Sequence, residues 1–501
     1  MPHTQRAFNR TRMVLSTNKI ITGSLRLLNM SQRRYTIMII LRAQLFGLVK
    51  LLRTAPAARG HRPPDFAAPL NPRILLLSEF FPADPRCVVG TFQRLKRHLA
   101  VLDSLGPVDA IFMWSPGRAL SEADESRFRA VAKQTWPLRG SVHFMAPGRR
   151  ANGLLPRIND AFWALRGFVG LDRDQPSMAM CRRRQIEDIE KMLEVFQPDL
   201  IFAHRLNTAV PLTRMKSRLP PIIVDFDDVE SVRIERLAMS KSNLIGRWKA
   251  RLGVVLARRA QGRVSAAAAG VLVCSELEQR KVQLMYPEAR VYVIPNSAAA
   301  LGELPPPSQP IAVFVGTASY EPNKEAILWL AKQIWPYIRG AVPQARLIVA
   351  GAGTADLSIG SEQLGIEALG FVENLAPIYA AAMLAVCPIR RGSGTRIKII
   401  EGAVNGRPVV STTVGAEGLT FKPGAEILIA DDAKGFADAC IGLLRNPARA
   451  AVIGKAASRR ARSDYRSERI AEHLRAICIE ALHSRGVRMP SHDGESNLPG
   501  C

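Results

Sequence analysis

At 501 residues and 47% hydrophobic, the chain holds enough apolar side chains for the cores of two domains, which excludes a disordered or low-complexity protein. Its 69 Lys and Arg against 43 Asp and Glu leave a net charge of +26, so anionic partners are expected; few interleaved aromatics and no nucleic-acid-binding motif favour phosphorylated substrates and anionic lipid over base readout. The seven Cys (87, 181, 274, 387, 440, 478, 501) form no C-x-x-C pair and no Cys/His cluster at metal spacing, which fits free thiols in a reducing compartment rather than a disulfide framework or a zinc site.

Residues 1–70 carry 12 Lys or Arg against the single Asp65 and lack the pattern of a folded domain. The stretch Tyr35–Leu52 is apolar but broken by Arg42 and Lys50, too short and too charged for a comfortable membrane span. Leu41, Leu45, Leu48 and Leu52 recur at helical spacing, so one reading is a basic amphipathic helix lying on a membrane surface. The other is an extension upstream of the true start. No small-residue cleavage site follows the apolar stretch cleanly.

From Pro72 onward, short apolar runs alternate with helical stretches, the sequence form of a parallel sheet covered by helices. Strands are predicted at Arg73–Ser78, Val108–Trp114, Ser141–Ala146, Leu200–Ala203, Ile222–Asp225, Val271–Cys274 and Val291–Ile294. Between the first strand and its helix lies the long segment Glu79–Gly90, with Pro82, Pro85 and Gly90, at the carboxyl end of the sheet. The strand after Pro198-Asp199 delivers the imidazole of His204 to that same end. Asp225-Phe226-Asp227-Asp228 then places three carboxylates within four residues. Such a triplet could hold a divalent cation bridging a diphosphate; the phosphate-site candidate lies far downstream in a second sheet pattern, which favours polar lining of a cleft by Asp227 or Asp228.

Leu304-Pro305-Pro306-Pro307 and Pro310 read as a stiff linker, and a second α/β pattern follows. Ile311–Val315 is a predicted strand, Gly316 to Lys324 the loop into a helix from about Glu325. Arg346–Ala350, Leu369–Val372 and Leu384–Pro388 are further strands, with a helical stretch at Leu375–Ala382.

The next stretch, Pro388 to Gly418, organises the rest. Gly392-Ser393-Gly394-Thr395 is a flexible loop that lets backbone amides approach a ligand, and a helical pattern (Ile397, Ile399, Ile400, Ala403) starts just after it. A helix N-terminus with free amides is an anion site. Arg396 and Lys398 supply cations, and Lys398 and Glu401, three residues apart, share a helix face. Gly406-Arg407-Pro408 ends the helix, Val409–Thr412 is a short buried strand, and Gly415–Gly418 reopens the backbone where open α/β sheets bind ligands. Taken alone, the loop is equally an ordinary strand, turn and helix with a solvated Lys398–Glu401 pair. Ile427–Ala430, Ala433–Leu444, a helix from Pro447 and an amphipathic helix marked by Ile470, Leu474, Ile477 and Ala481 complete the chain.

The run Gly392-x-Gly394-Thr395-Arg396-x-Lys398-x-x-Glu401, followed by Gly406-x-Pro408-Val409-Val410-x-Thr412-x-x-Gly415-x-Glu417-Gly418, resembles the donor-binding region of retaining glycosyltransferases of family 4, which have the GT-B fold. The resemblance covers roughly residues 73–480 and is strongest over 311–445. It implies two Rossmann-like domains facing a cleft: an acceptor-side domain at 71–298, a linker at 299–310, a nucleotide-sugar domain at 311–455, a helix crossing back at 456–485 and a disordered tail at 486–501. It implies transfer, with retention of configuration, from a nucleotide-diphospho-sugar to a glycan or lipid-linked acceptor, without a metal or other cofactor. By the same resemblance His204 lies near the transferred sugar, Arg396 and Lys398 meet the diphosphate, and Glu401 holds the ribose, these four being the expected catalytic set. Donor-binding expectations extend to Gly316, Lys324, Phe371, Val372, Gly392, Ser393, Gly394 and Thr395, and acceptor-side expectations to Gly90, Thr91, Asp227 and Asp228. The sequence departs from the family twice: Ser393 stands where many members have a second Glu, and Thr317 where many have an Arg. A nucleotide-sugar epimerase and a non-catalytic membrane scaffold are the rival readings, and a cytoplasmic protein peripheral on the inner face of the membrane is the expected location.

Overall fold

The computed structural model describes residues 71–80, 90–113, 121–136, 138–145, 183–215, 217–239, 244–301, 307 and 309–484. The N-terminal extension, most of the segment after Glu79, most of the proline linker and the C-terminal tail lie outside the described residues.

Two wholly parallel sheets form the scaffold. The first has seven strands in the order β3-β2-β1-β4-β5-β6-β7: β1 (Ile74–Ser78), β2 (Val108–Met113), β3 (Val142–Met145), β4 (Leu200–His204), β5 (Ile222–Asp225), β6 (Gly270–Val273) and β7 (Val291–Val293). The second has six in the order β10-β9-β8-β11-β12-β13: β8 (Ile311–Val315), β9 (Arg346–Ala350), β10 (Ile366–Gly370), β11 (Leu384–Cys387), β12 (Val409–Ser411) and β13 (Leu428–Ile429). Unbroken apolar strands need cover on both faces, and they have it. Along β1, Ile74 and Leu76 enter one helix layer while Leu75 and Leu77 enter the other.

Each sheet reverses its winding once, between β1 and β4 and between β8 and β11. At such a switch point the connections leave in opposite directions and open a crevice beyond the carboxyl ends of the strands. That topology places Ser78 and His204 at one crevice, and the segments after Val315 and Cys387 at the other.

Three boundaries differ from the sequence reading by more than one residue. The strand expected at Leu369–Val372 runs from Ile366 to Gly370; it is an edge strand with Glu367 exposed, so a search for continuous apolar residues misses its start and leaves Phe371 and Val372 in the loop beyond it. The helix expected from Glu325 begins at Glu321, because Pro322 suits a first helical turn where no amide donor is needed. The helix Pro447–Asp464 packs whole on the second domain through Ala450, Ile453, Ala457 and Ala461, so the chain leaves that domain at Tyr465. It then forms the helix Ser467–His483, whose Leu474, Ile477, Cys478, Ala481 and Leu482 complete the core of the first domain.

Candidate active site

Helix α1 (Gly90–Leu105) follows β1 and points its N-terminus at the second domain, with Gly90 against Ile397. It is pinned from below by a buried ion pair: Arg94 donates from Nε and Nη2 to the two oxygens of Asp225, each at 2.8 Å, and His98 Nδ1 lies 3.2 Å from the same carboxylate. Burial alone would raise Asp225's pKa, but Arg94 and then His98 outweigh it and hold the carboxyl well below its usual range. The neighbouring Asp227, in the left-handed region at φ 55°, accepts from Thr91 Oγ1 at 3.0 Å and from Arg205 Nη2 at 2.9 Å. Asp228 faces the opposite domain instead, and burial, reinforced by Asp227, pushes its pKa up. The three carboxylates that looked like a metal-binding triplet therefore serve three different partners. Among the described residues no group of three or more His, Cys, Asp or Glu could hold a metal ion.

Between the domains lies a cleft of 1380 Å³, room for a nucleotide-sugar together with part of a second substrate. From the first domain it is lined by Phe80, Gly90, Thr91, Gln93, Arg205, Asp227, Asp228, Arg233, Arg236 and Asn296. From the second it is lined by Gly316, Tyr320, Asn323, Phe371, Val372 and the whole run from Arg390 to Lys398, with Glu401 and Glu417.

The loop 392–395 is shaped by two glycines and by the arginine that follows it. Gly392 and Gly394 take φ of +110° and +75°, which L side chains rarely adopt. Arg396 folds its guanidinium back onto its own loop: Nη1 donates to the carbonyl of Ser393 and, at 2.7 Å, to that of Gly394. Its Nε and Nη2 are buried and meet no hydrogen-bond partner. Buried guanidinium donors left open cost free energy that an oxyanion ligand would recover. The following helix, α2 (Ile397–Val404), has an apolar side of Ile399, Ile400, Ala403 and Val404 that buries in the second domain and leaves Lys398 and Glu401 toward the cleft.

Lys398 Nζ donates to Asn323 Oδ1 at 2.7 Å and sits 4.0 Å from the centre of the Phe314 ring. Burial pulls its pKa down to about 8. Gly316 makes room for it, since a Cβ there would lie 2.8 Å from Nζ. Glu401 Oε2 accepts from the Tyr379 hydroxyl at 3.3 Å, and burial pushes its carboxyl pKa up, with Tyr379 and then Arg97 of the first domain opposing.

The domains are tied across the cleft mouth. Arg236 donates to the Gly392 carbonyl at 2.7 Å and to Glu417 Oε1 at 2.6 Å, Lys281 reaches the same carboxylate at 3.3 Å, and Asn296 Nδ2 donates to Thr395 Oγ1 at 2.9 Å.

Most of the residues named from the sequence converge here: Gly90, Thr91, Asp227, Asp228, Gly316, Phe371, Val372, Gly392, Ser393, Gly394, Thr395, Arg396, Lys398 and Glu401 all line one cleft. Two do not. Lys324 is exposed, because the helix starts four residues earlier than expected and turns Asn323 inward in its place. His204 is fully buried, its Nδ1 3.2 Å from Ser78 Oγ and its ring edge-on to Phe80 at 5.9 Å; the side chain that enters the cleft is the next one, Arg205, stacked 4.6 Å over Phe80. Burial lowers the His204 pKa to about 4, so the imidazole is neutral near pH 7. Arg205, Arg236, Gln93, Asn296 and Asn323 carry no local signal in the sequence, since what marks them is the partner they meet across the fold.

Two Rossmann-like doubly wound domains facing a cleft define the GT-B fold, and solved structures bear this out. Sucrose-phosphate synthase from Thermosynechococcus elongatus superposes with a TM-score of 0.53 at 17% identity, covering 83% of this chain and 100% of that one. HepE from Anabaena, in complex with UDP and glucose, gives 0.52 at 15% identity over 81% and 98%. The G117R mutant of TarM from S. aureus, in complex with UDP, fondaparinux and α-GlcNAc-glycerol, gives 0.54 at 10% identity over 81% and 99%. Residues 309–446 match the family described as glycosyl transferases group 1. An uncharacterised 44.6 kDa protein in the cps region of Klebsiella pneumoniae is 24% identical over 143 residues, which span 27% of this chain and 37% of that relative.

Proposed function

We propose that the protein is a glycosyltransferase that moves a sugar from a nucleotide-diphospho-sugar to a glycan or lipid-linked acceptor, with retention of configuration and without a metal ion. The observation that carries this is the pair of buried, unpartnered donors on Arg396, set beside Lys398 and two left-handed glycines at the switch point of the second sheet. The match of residues 309–446 to the group 1 glycosyl transferases supports it.

In this reading the diphosphate lies against the 392–395 amides, Arg396 and Lys398. Negative charge grows on the leaving diphosphate as the glycosidic bond breaks, and donors fixed in advance stabilise it without reorganising. Glu401 accepts from the ribose, and Phe371 and Val372 border the base. The acceptor approaches from the side of Gly90, Thr91 and Asp227, with Arg205 and Asp227 holding each other in place. His204 supports the wall behind Phe80 and Arg205 rather than touching the substrate.

Calorimetry with UDP and GDP, followed by a nucleotide-release screen of their sugars with membrane extract as acceptor source, tests the proposal. Binding of one nucleotide and acceptor-dependent, EDTA-insensitive release are expected. Arg396→Ala should lower turnover by about 10²- to 10³-fold. Sugar released with no acceptor present would favour an epimerase, and no nucleotide binding at all a non-catalytic scaffold. Strict Mn²⁺ or Mg²⁺ dependence would overturn the metal-free reading.

A further inference from the structure

Among the described residues, Oδ1 of Asp228 is a buried carboxylate oxygen that meets no well-directed hydrogen bond, although the Ser393 hydroxyl lies close enough to act on the carboxyl. It belongs to the first domain yet reaches the glycine loop of the second: a Cβ on Gly394 would lie 2.5 Å from it. Gly394, at φ +75°, is thus the residue whose bare backbone admits this carboxylate to the donor-side loop. The loop itself has no acid to offer. Its side chains are those of Ser393 and Thr395, and Thr395 Oγ1 is already taken by Asn296.

The chemistry around Asp228 narrows what can meet it. The Arg396 and Arg205 guanidinium groups lie close enough to act on its charge, which disfavours a metal cation. A phosphate would be repelled by the carboxylate itself. A neutral hydroxyl fits both neighbours, donating to Oδ1 while the group it is attached to continues toward the open Nε and Nη2 of Arg396.

We propose that Asp228 reads a hydroxyl of the transferred sugar across Gly394, supplying from the acceptor-side domain the acidic contact that the donor-side loop lacks at Ser393. It is a specificity-determining residue, and the donor sugar is gripped only when both domains face each other. This rests on the reading of the cleft as a nucleotide-sugar site.

The test uses the full chain and its Asp228→Asn variant, titrated by calorimetry with UDP and UDP-glucose and with GDP and GDP-mannose; the nucleotide that the wild type binds selects the pair. The variant should bind the bare nucleotide as the wild type does, which also reports an intact fold, while kcat/KM for the nucleotide-sugar falls by about 10- to 100-fold and any affinity gained from the sugar is lost. Asp228→Glu, which keeps the charge, should recover part of the loss. Equal turnover of wild type and Asp228→Asn would overturn the inference while leaving the glycosyltransferase reading intact. Parallel loss of nucleotide and nucleotide-sugar binding would overturn it too, by making Asp228 a support of the pocket. A wild type that binds neither nucleotide overturns both readings.

Discussion

Lys398 shows how burial adjusts the charge of a single residue. Its ammonium is held by Asn323 and the Phe314 ring, yet burial draws its pKa to about 8 from an ordinary value of 10.5. In the proposed reading the diphosphate meets the protonated form of Lys398, so nucleotide affinity should be level below pH 8 and fall as pH rises through it. Nucleotide Kd measured from pH 6.5 to 9.5 checks this, and Lys398→Met should bind more weakly throughout and lose the slope. A wild-type affinity constant across that range would contradict the placement of Lys398 on the anion. The sequence marked Lys398, Arg396 and Glu401 because a glycine loop opening a helix limits what its first turn can face. It misplaced Lys324 and His204, since a shift of a helix start or one further residue of strand decides which neighbour turns inward.

At the scale of elements, α1 connects the first sheet to the cleft. Its anchor is the Arg94–Asp225 pair, 1% and 0% exposed, with Arg94 also donating to the Ile294 carbonyl at 2.7 Å. Removing one partner of a buried pair strands the other charge, so Arg94→Ala should cost about 3–5 kcal/mol, read as a lowered midpoint in urea. A loss below about 1 kcal/mol would mean the pair is open to water. The contrast with Arg236 is instructive: its pair with Glu417 is partly exposed, and its contribution lies in holding the loop carbonyl of Gly392 rather than in stability. Strands were legible as apolar runs wherever helices cover both faces, as in β1, β5 and β8, whose bounds lie within one residue of the expectation. Edge strand β10 was not, because a half-exposed strand need not be apolar throughout.

At the scale of the molecule, the C-terminal helix Ser467–His483 is built after the second domain but buried in the first. Ending the chain at residue 466 removes Leu474, Ile477 and Leu482 from that core and bares its apolar wall. The truncated protein should lose the cooperative unfolding of its first domain and aggregate at concentrations the full chain tolerates, as followed by calorimetry and light scattering. Retention of the full-length melting profile would show that the helix is dispensable. Among the described residues no helix is long and apolar enough to cross a membrane. The membrane contact expected from the sequence rests on the basic segment 1–70; if it holds, deleting that segment should move the protein from the pelleted to the unpelleted fraction, and unchanged partition would remove the segment from the account.

By itself the sequence determined the alternation of strand and helix, the two-domain division and the glycine loop that opens a helix after Cys387, because apolar periodicity, glycine freedom and helix-end chemistry act over a few residues. Only the tertiary structure decided that Arg205 rather than His204 enters the cleft, that Asp225, Asp227 and Asp228 part company, and that Asp228 meets Gly394. Those outcomes depend on which groups the fold brings opposite one another, Arg94 with Asp225 and Thr91 with Asp227 within the first domain and Asp228 with Gly394 between the two, each pair more than a hundred residues apart in the chain, and no local pattern encodes such a meeting.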